Sequence, residues 1–375
     1  MHVVATKETW EGEKRAALIP ASIEKLVADG FEVSVESTIG TAAGFRDSEY
    51  EQAGATVLPD RTSALDRANI VLAVRRPDED TITQFPADCL LMSLLDPFKE
   101  PELIKRLAEQ RVSAISLEMI PRSTIAQKMD VLSSQASLAG YAAMVLACYN
   151  LNQIFPMMMT PAGTLSPARV FVIGAGVAGL QAIATAQRLG ARVEAFDTRP
   201  VVKEEVQSLG AKFLDIDLGD TGQTEQGYAK ELTAEQLEIQ RRGMADAIAR
   251  SDIVVTTAQV FGRSAPRIVS RDMIESMRPR SVVVDMAVDS GGNVEGSELG
   301  KTIDINGVQL IGPRNLPSTV ATHASQMLSS NLYEFIKHFK NDDEPILNLD
   351  PSDPIIERCL VTQGGKVLLD NGSES

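Results

Sequence analysis

The chain has 375 residues, of which 44% are hydrophobic and 23% charged, and a formal net charge of −15. That length accommodates two domains of ordinary size, and the acidic balance argues against nucleic acid and against direct docking on an anionic membrane surface. The three cysteines, Cys89, Cys148 and Cys359, are odd in number and without metal-ligand spacing, so reduced thiols and no metal site are expected.

The start, MHVVATKE, has no basic stretch ahead of an apolar core, so no secretory signal is expected. HVVAT, SIEKLVADG and FEVSVES read as strand, helix and strand. Ser22 is expected to cap the helix, Ile23, Leu26 and Val27 to form its apolar side, and Gly30 to end it. A helical stretch after Asp47, then ATVL, a short helix near Ala64, ANIVLAVRRP and CLLMSLL continue the alternation. Strands separated by helices imply a mostly parallel sheet covered on both faces. This first unit has no glycine fingerprint and reads as a Rossmann half without its phosphate loop.

A second unit begins near Ser133. Two long helical patterns bracket it, VLSSQASLAGYAAMVLACYNLNQI before and STVATHASQMLSSNLYEFIKHF after. No window approaches twenty uninterrupted apolar residues; the best, near Met144–Met159, is broken by Asn150, Asn152, Gln153 and Pro156, so no membrane span is expected. Strand candidates are RVFVI, RVEAF, KFLDI, DIVVTTA, SVVVDMAV and VQLIG. ILNLD and IERCLVTQGGKVLL, with its Gly364-Gly365 turn, read as small strands returning to the first domain, and NGSES as a tail. The expected fold class is α/β, with two Rossmann-like doubly wound parallel-sheet domains joined by two long helices and nucleotide in the cleft. Residues 1–132 with 320–375 would form a discontinuous N-terminal domain, and 133–319 the nucleotide domain. The polar, unpatterned segment Gly219–Gln236 reads as a mobile loop.

The strongest signal is Ala168–Asp197. The apolar run Val170–Ile173 meets Gly174-Ala-Gly176-Val-Ala-Gly179; an amphipathic segment closes on Gly190, and a second apolar run ends in Asp197. Gly174 allows a sharp turn out of the strand, Gly176 lets backbone N–H groups approach a pyrophosphate, and Gly179 lets the helix pack tightly on the sheet. Asp197 stands where a carboxylate accepts from both hydroxyls of an adenosine ribose and repels a 2′-phosphate. NAD(H) is therefore expected in preference to NADP(H).

A second stretch, Met119–Tyr141, reads MIPRSTIAQKMDVLSSQASLAGY. Its Pro121-Arg122, Gln127, Asp130 and Leu132-Ser133-Ser134-Gln135, leading into Leu138-Ala-Gly-Tyr, carry a resemblance. Further pieces are Lys7-Glu8, EGEKRAALIP, FPMMMTPAGT, QGYAKEL (Gln226–Leu232), VDMAVDSGGN (Val284–Asn293) and NLPS (Asn315–Ser318). On these the chain resembles the NAD(H)-binding component of proton-translocating transhydrogenase over nearly its whole length. The resemblance implies that Arg122, Gln127, Asp130 and Ser133 embrace the nicotinamide end. Arg122 would donate to the carboxamide or a phosphate and Gln127 would hold the ribose. Asp130 would orient Arg122 or accept from the carboxamide, and Ser133 would fix the ring.

It further implies that Gly227 and Tyr228 belong to a lid that folds over bound nucleotide. Val177, Ala178, Thr198, Arg199, Gln240 and Gln259 fall at contact positions, although Gln259 departs from the apolar residue expected there. NADP(H) would sit on a partner subunit, and membrane-spanning partner subunits would couple the exchange to proton movement. The chain itself would be a homodimer in the cytoplasm, peripheral on the inner face of the cell membrane through those partners and not itself inserted.

Alanine dehydrogenases share much of this framework and are the alternative enzyme. They carry a lysine where Ala73 stands and a histidine within the strand that here reads Met92-Ser93-Leu94-Leu95, while Arg15 and Asp289 remain. Oxidative deamination needs a general acid–base group beside the substrate. The chain's histidines are only His2, His323 and His338; the last two read as ordinary helix histidines. Hydride exchange between two nicotinamides breaks only C–H bonds and requires no proton donor, so transhydrogenation is the expected activity. A non-catalytic NAD-sensing module is the other alternative; it would not require the nicotinamide to be exposed to a second nucleotide.

Overall fold

The computed structural model describes residues 1–219, 221–222, 232–259 and 262–369. Strands β1 (His2–Ala5), β2 (Glu32–Glu36), β3 (Thr56–Leu58), β4 (Ile70–Arg75), β5 (Leu90–Leu94) and β6 (Ser113–Ser116) come first. A hairpin follows, β7 (Met158–Thr160) and β8 (Gly163–Leu165). Next are β9 (Arg169–Ile173), β10 (Arg192–Phe196), β11 (Lys212–Phe213), β12 (Ile253–Thr256), β13 (Val282–Asp285), β14 (Lys301–Ile305) and β15 (Val308–Gly312). The chain ends with β16 (Leu360–Gln363) and β17 (Lys366–Val367). The chain packs as two compact units, one of residues 1–135 and 317–375, the other of residues 136–316.

Unit one holds a sheet in the order β17-β16-β6-β5-β4-β1-β2-β3. Strands β1 to β6 run parallel, while β16 and β17 add antiparallel at one edge. Chain order reverses between β1 and β4, the place where open α/β sheets form a ligand crevice. Its central strands are apolar on both faces: Val3, Val4, Ala5, Ile70, Val71 and Leu72 are all fully buried, as strands covered by helices on both sides must be.

The helix after β1 begins at Pro20, not at Ser22. Proline supplies a preset φ and lacks the N–H that would go unsatisfied at the first helical position, and Ser22 is buried one turn in. Gly30 leaves that helix with φ +90°. The C-terminal segment also departs from expectation. ILNLD makes only an isolated bridge, Lys340 to Leu347. Pro354–Cys359 is a helix because Asp353 accepts from the N–H groups of Ile355 and Ile356.

Unit two holds a sheet in the order β11-β10-β9-β12-β13-β15-β14. All neighbours are parallel except the edge pair β14–β15. Chain order reverses here between β9 and β12. KFLDI contributes only the two residues of β11.

Of the described helices, Val131–Asn150 is long and apolar enough by length and composition to cross a membrane. Its apolar residues are taken up in hydrophobic cores, Val131 in that of unit one and Ala142, Ala143, Met144 and Ala147 in that of unit two. The other long helix, Ala321–Phe339, lies wholly in unit one. Leu328, Leu332, Phe335 and Ile336 join the core there.

Candidate functional site

Within unit two, the turn after β9 leads straight into the helix Val177–Arg188. Each glycine of the fingerprint has a separate steric cause. Gly174 has φ +95°, which an L side chain rarely adopts, and the Thr257 hydroxyl donates to its carbonyl at 3.0 Å. A Cβ on Gly179 would lie 1.9 Å from the Gly174 carbonyl oxygen, so helix and strand approach this closely only with glycine there. A Cβ on Gly140 would lie 2.1 Å from the Ala178 carbonyl, so that glycine lets the helix Val131–Asn150 rest against the same turn. Gly176 differs from the others. A Cβ there would meet only an Arg199 guanidinium nitrogen, 4.0 Å away, so the glycine leaves open space beside the unpaired N–H groups of the helix's first turn. That space suits a pyrophosphate.

Asp197, at the end of β10, is folded into this turn. Its Oδ2 accepts from the Ala175 N–H at 2.7 Å and from Arg199 Nη2 at 2.8 Å. Its Oδ1 accepts from the Arg199 N–H at 2.8 Å and Arg199 Nε at 2.9 Å. The Asp197 hydrogen bonds raise the Arg199 guanidinium above its ordinary value. Thr198 receives the Thr221 hydroxyl on its carbonyl at 2.8 Å. Val177 is exposed at the head of the helix, and Ala178 is half-buried beside it.

Gln240 is buried in the helix Ala234–Ala249, and its Oε1 has no partner among the described residues. Gln259 is exposed, with Nε2 3.3 Å from the Met286 carbonyl. Gly227 and Tyr228 lie outside the described residues. The expected loop is shorter than Gly219–Gln236, because Thr233 caps the helix that begins at Ala234.

VDMAVDSGGN also gains a physical reason. Asp285 is fully buried and accepts from the Thr256 hydroxyl and from the N–H groups of Ala287, Asn293 and Val294. Asn293 in turn donates to the carbonyls of Ala258 and Pro266, each at 2.8 Å, and accepts from the Ala258 N–H. Gly291 and Gly292, at φ +108° and +81°, bring the chain around this carboxylate. The knot fixes the loop that follows β12, beside the glycine turn.

Within unit one, Asp130 stands one residue ahead of the helix Val131–Asn150. It accepts from the Ser133 N–H at 2.9 Å and the Ser133 hydroxyl at 2.5 Å. Arg122 Nε lies 3.9 Å from Asp130 Oδ2, so Arg122, Asp130 and Ser133 come together while Gln127 is exposed on the same loop. Sequence reasoning missed Asn331, which braces this loop by donating to the Lys128 carbonyl at 2.7 Å and accepting from the Ser134 hydroxyl at 2.7 Å. A polar residue inside the apolar stripe of Ala321–Phe339 was its only sequence signal.

The crevice between β1 and β4 is filled by the chain itself. Glu8 accepts from the Val74 N–H at 2.6 Å and the Arg75 N–H at 3.3 Å. Burial, with the Glu13 charge nearby, pushes its carboxyl up to about 7 against those two hydrogen bonds. Glu13 receives Arg15 Nε at 2.8 Å, Arg15 Nη2 at 2.7 Å, Arg75 Nε at 3.2 Å and the Ser318 hydroxyl at 2.6 Å. Burial alone would raise Glu13, but the Arg15 hydrogen bonds and charge hold it far below the usual carboxylate range. Arg15 Nη1 reaches Gln135 Oε1 at 2.8 Å. Ala73, Met92 and Leu95 are buried in apolar clusters. Arg15 is thus engaged by Glu13 and Gln135, and no acid–base side chain stands at the positions where a deaminating enzyme would need one. His323 and His338 are exposed on their helix.

Models of the N-terminal and C-terminal domains of alanine dehydrogenase/PNT match residues 4–139 and 143–370. The chain belongs to the alanine dehydrogenase/PNT family. It is 40% identical to the first portion of NAD(P) transhydrogenase subunit alpha of Rhodospirillum rubrum, a separate chain there, with 98% of each chain covered. The crystal structure of transhydrogenase from Sinorhizobium meliloti superposes with a TM-score of 0.88 at 41% identity, covering 98% of this chain and 100% of that one. An L-alanine dehydrogenase structure is more distant, with a TM-score of 0.81 at 26% identity over 98% of this chain and 96% of that one. Within the family the chain stands with the transhydrogenase alpha subunits.

Proposed function

We propose that this chain binds NAD(H) and exchanges hydride with NADP(H) held by a partner subunit, in the reaction NADH + NADP⁺ ⇌ NAD⁺ + NADPH. The observation that carries the reading is the turn Gly174–Gly179, where only Gly176 opens onto free space, set beside Asp197 at the end of β10. The turn would hold the pyrophosphate and Asp197 the adenosine ribose. Arg122, Gln127, Asp130 and Ser133 would hold the nicotinamide end, with Gly227 and Tyr228 closing over the nucleotide. These residues bind and orient; they move no proton. Such catalysis is positioning, and the two reacting carbons must come within about 3–3.5 Å.

Membrane-spanning partner subunits would hold the chain at the inner face of the cell membrane and couple the exchange to proton translocation. A second copy of the chain completes the reading as a homodimer. From Val131 to Ala168 there is no charged residue in a chain of net charge −15. Tyr149 and Met159 are 87% and 74% exposed there, and every residue of the β7–β8 hairpin is exposed. A two-stranded hairpin is marginal alone, and two acidic chains meet with least repulsion through an uncharged face.

The test mixes the purified chain with the NADP(H)-binding component of a transhydrogenase and follows reduction of an acetylpyridine analogue of NAD⁺ by NADPH. Exchange should require both proteins. No exchange with both sites filled overturns the reading, and NAD⁺ reduction by alanine with this chain alone would return the dehydrogenase.

A further inference from the structure

We infer that Arg199 is a displaceable cover on the ribose acceptor and that the Asp197–Arg199 pair, not Asp197 alone, sets the discrimination between NAD(H) and NADP(H). The inference rests on the nucleotide reading above. A carboxylate offers about four acceptor positions, and all four on Asp197 are taken. Two go to the backbone N–H groups of Ala175 and Arg199, which the turn itself fixes. The other two go to the Arg199 guanidinium, forked across both oxygens at 2.9 and 2.8 Å. The side chains are only 6% and 14% exposed, so the fork covers the carboxylate. A ribose diol can bond Asp197 only by displacing guanidinium contacts, since the backbone donors have nowhere to go.

The two nucleotides meet this cover differently. A ribose diol is neutral and gains no charge from a guanidinium, so for NADH Arg199 is a competitor. A 2′-phosphate would be repelled by a bare Asp197, but here the carboxylate charge is paired. A planar guanidinium fork also matches phosphate oxygens bidentately. The geometry leaves it room to turn, because Gly176 lacks a Cβ and the nearest atom to that empty position is an Arg199 guanidinium nitrogen, 4.0 Å away. Arg199 therefore narrows a preference that Asp197 alone would make wide.

The test measures dissociation constants for NADH and NADPH by equilibrium dialysis on the full chain, comparing wild type, Arg199→Gln and Arg199→Lys. In Arg199→Gln the NADPH-to-NADH ratio of dissociation constants should rise by about tenfold or more, the effect of losing a charge-assisted hydrogen bond, with NADH bound at least as tightly as before. Arg199→Lys keeps the charge without the fork and should fall between the two; its ratio decides the matter if Arg199→Gln does not fold. An unchanged ratio in the folded variants overturns the inference, and so does equal weakening of both nucleotides, which would make Arg199 a plain contact. A wild-type chain that binds neither nucleotide would overturn the proposed function and this inference with it.

Discussion

The two units have the same parallel strand order, with β3-β2-β1-β4-β5-β6 in one matched by β11-β10-β9-β12-β13-β15 in the other, yet their crevices are put to opposite uses. In unit two the strand before the reversal runs into Gly174–Gly179, and the absent Cβ of Gly176 keeps the crevice open. In unit one β1 runs into Thr6-Lys7-Glu8, and the Glu8 carboxylate fills the crevice by accepting from the Val74 and Arg75 amides. Beside it, Glu13 engages the guanidiniums of Arg15 and Arg75. A shared strand order therefore makes a crevice but does not decide whether anything binds there; the residues just after the first strand decide that.

The comparison breaks first at Glu13. Glu13→Ala leaves Arg15 buried without its counter-charge, which should destabilise unit one by about 3–5 kcal/mol in urea unfolding. A loss below about 1 kcal/mol would mean that the crevice is not held by this carboxylate.

Glu8 sharpens the contrast through pH. Its carboxyl is raised from 4.5 to about 7, so the stability tied to its protonated form is full below pH 4.5 and is lost as pH rises through about 7. Glu13 has the opposite sign, contributing stability that is lost only in strong acid. Relative to Glu8→Gln, wild type should lose up to ~3 kcal/mol between those pH values. Parallel pH profiles would show that Glu8 is solvated and that the first crevice is open.

The smallest effect is expected at Gly179. Gly179→Ala places a Cβ against the Gly174 carbonyl, which should cost about 1–3 kcal/mol of stability as helix and turn move apart. NADH affinity should fall with it. Nucleotide binding that survives unchanged would place the site elsewhere, the filled first crevice included.

Much of the fold was legible because buried parallel strands are nearly continuous apolar runs, as in RVFVI and ANIVLAVRRP. The elements that escaped are those without that pattern. KTIDI of β14 is an antiparallel edge strand with a polar face, and MMT and GTL of the β7–β8 hairpin have no buried side to alternate with. The helix Pro354–Cys359 carried proper signals in Asp353 and Pro354, but the apolar residues after them read as strand.

At the site, the glycine turn and Asp197 were readable because their partners lie within thirty residues of one another in the chain. Glu8 and Glu13 were visible only as pieces of a family resemblance. Their meaning depends on Val74, Arg75 and Ser318, which only the fold brings near. Arg199 was legible as a contact, but its return onto Asp197 was not, since an adjacent acid and base on a loop can as readily point apart.

The buried knot at Asp285 and Asn293 bears on how the chain becomes competent. Its bonds join the end of β12, the Ala258 and Pro266 carbonyls and the turn after β13. None can form until β12 and β13 lie side by side, because each links positions far apart in the chain, and such contacts are made only after the loops between them have closed. During folding the sheet therefore comes before the loop beside the glycine turn, and a newly made chain acquires its finished nucleotide site as one of its last steps.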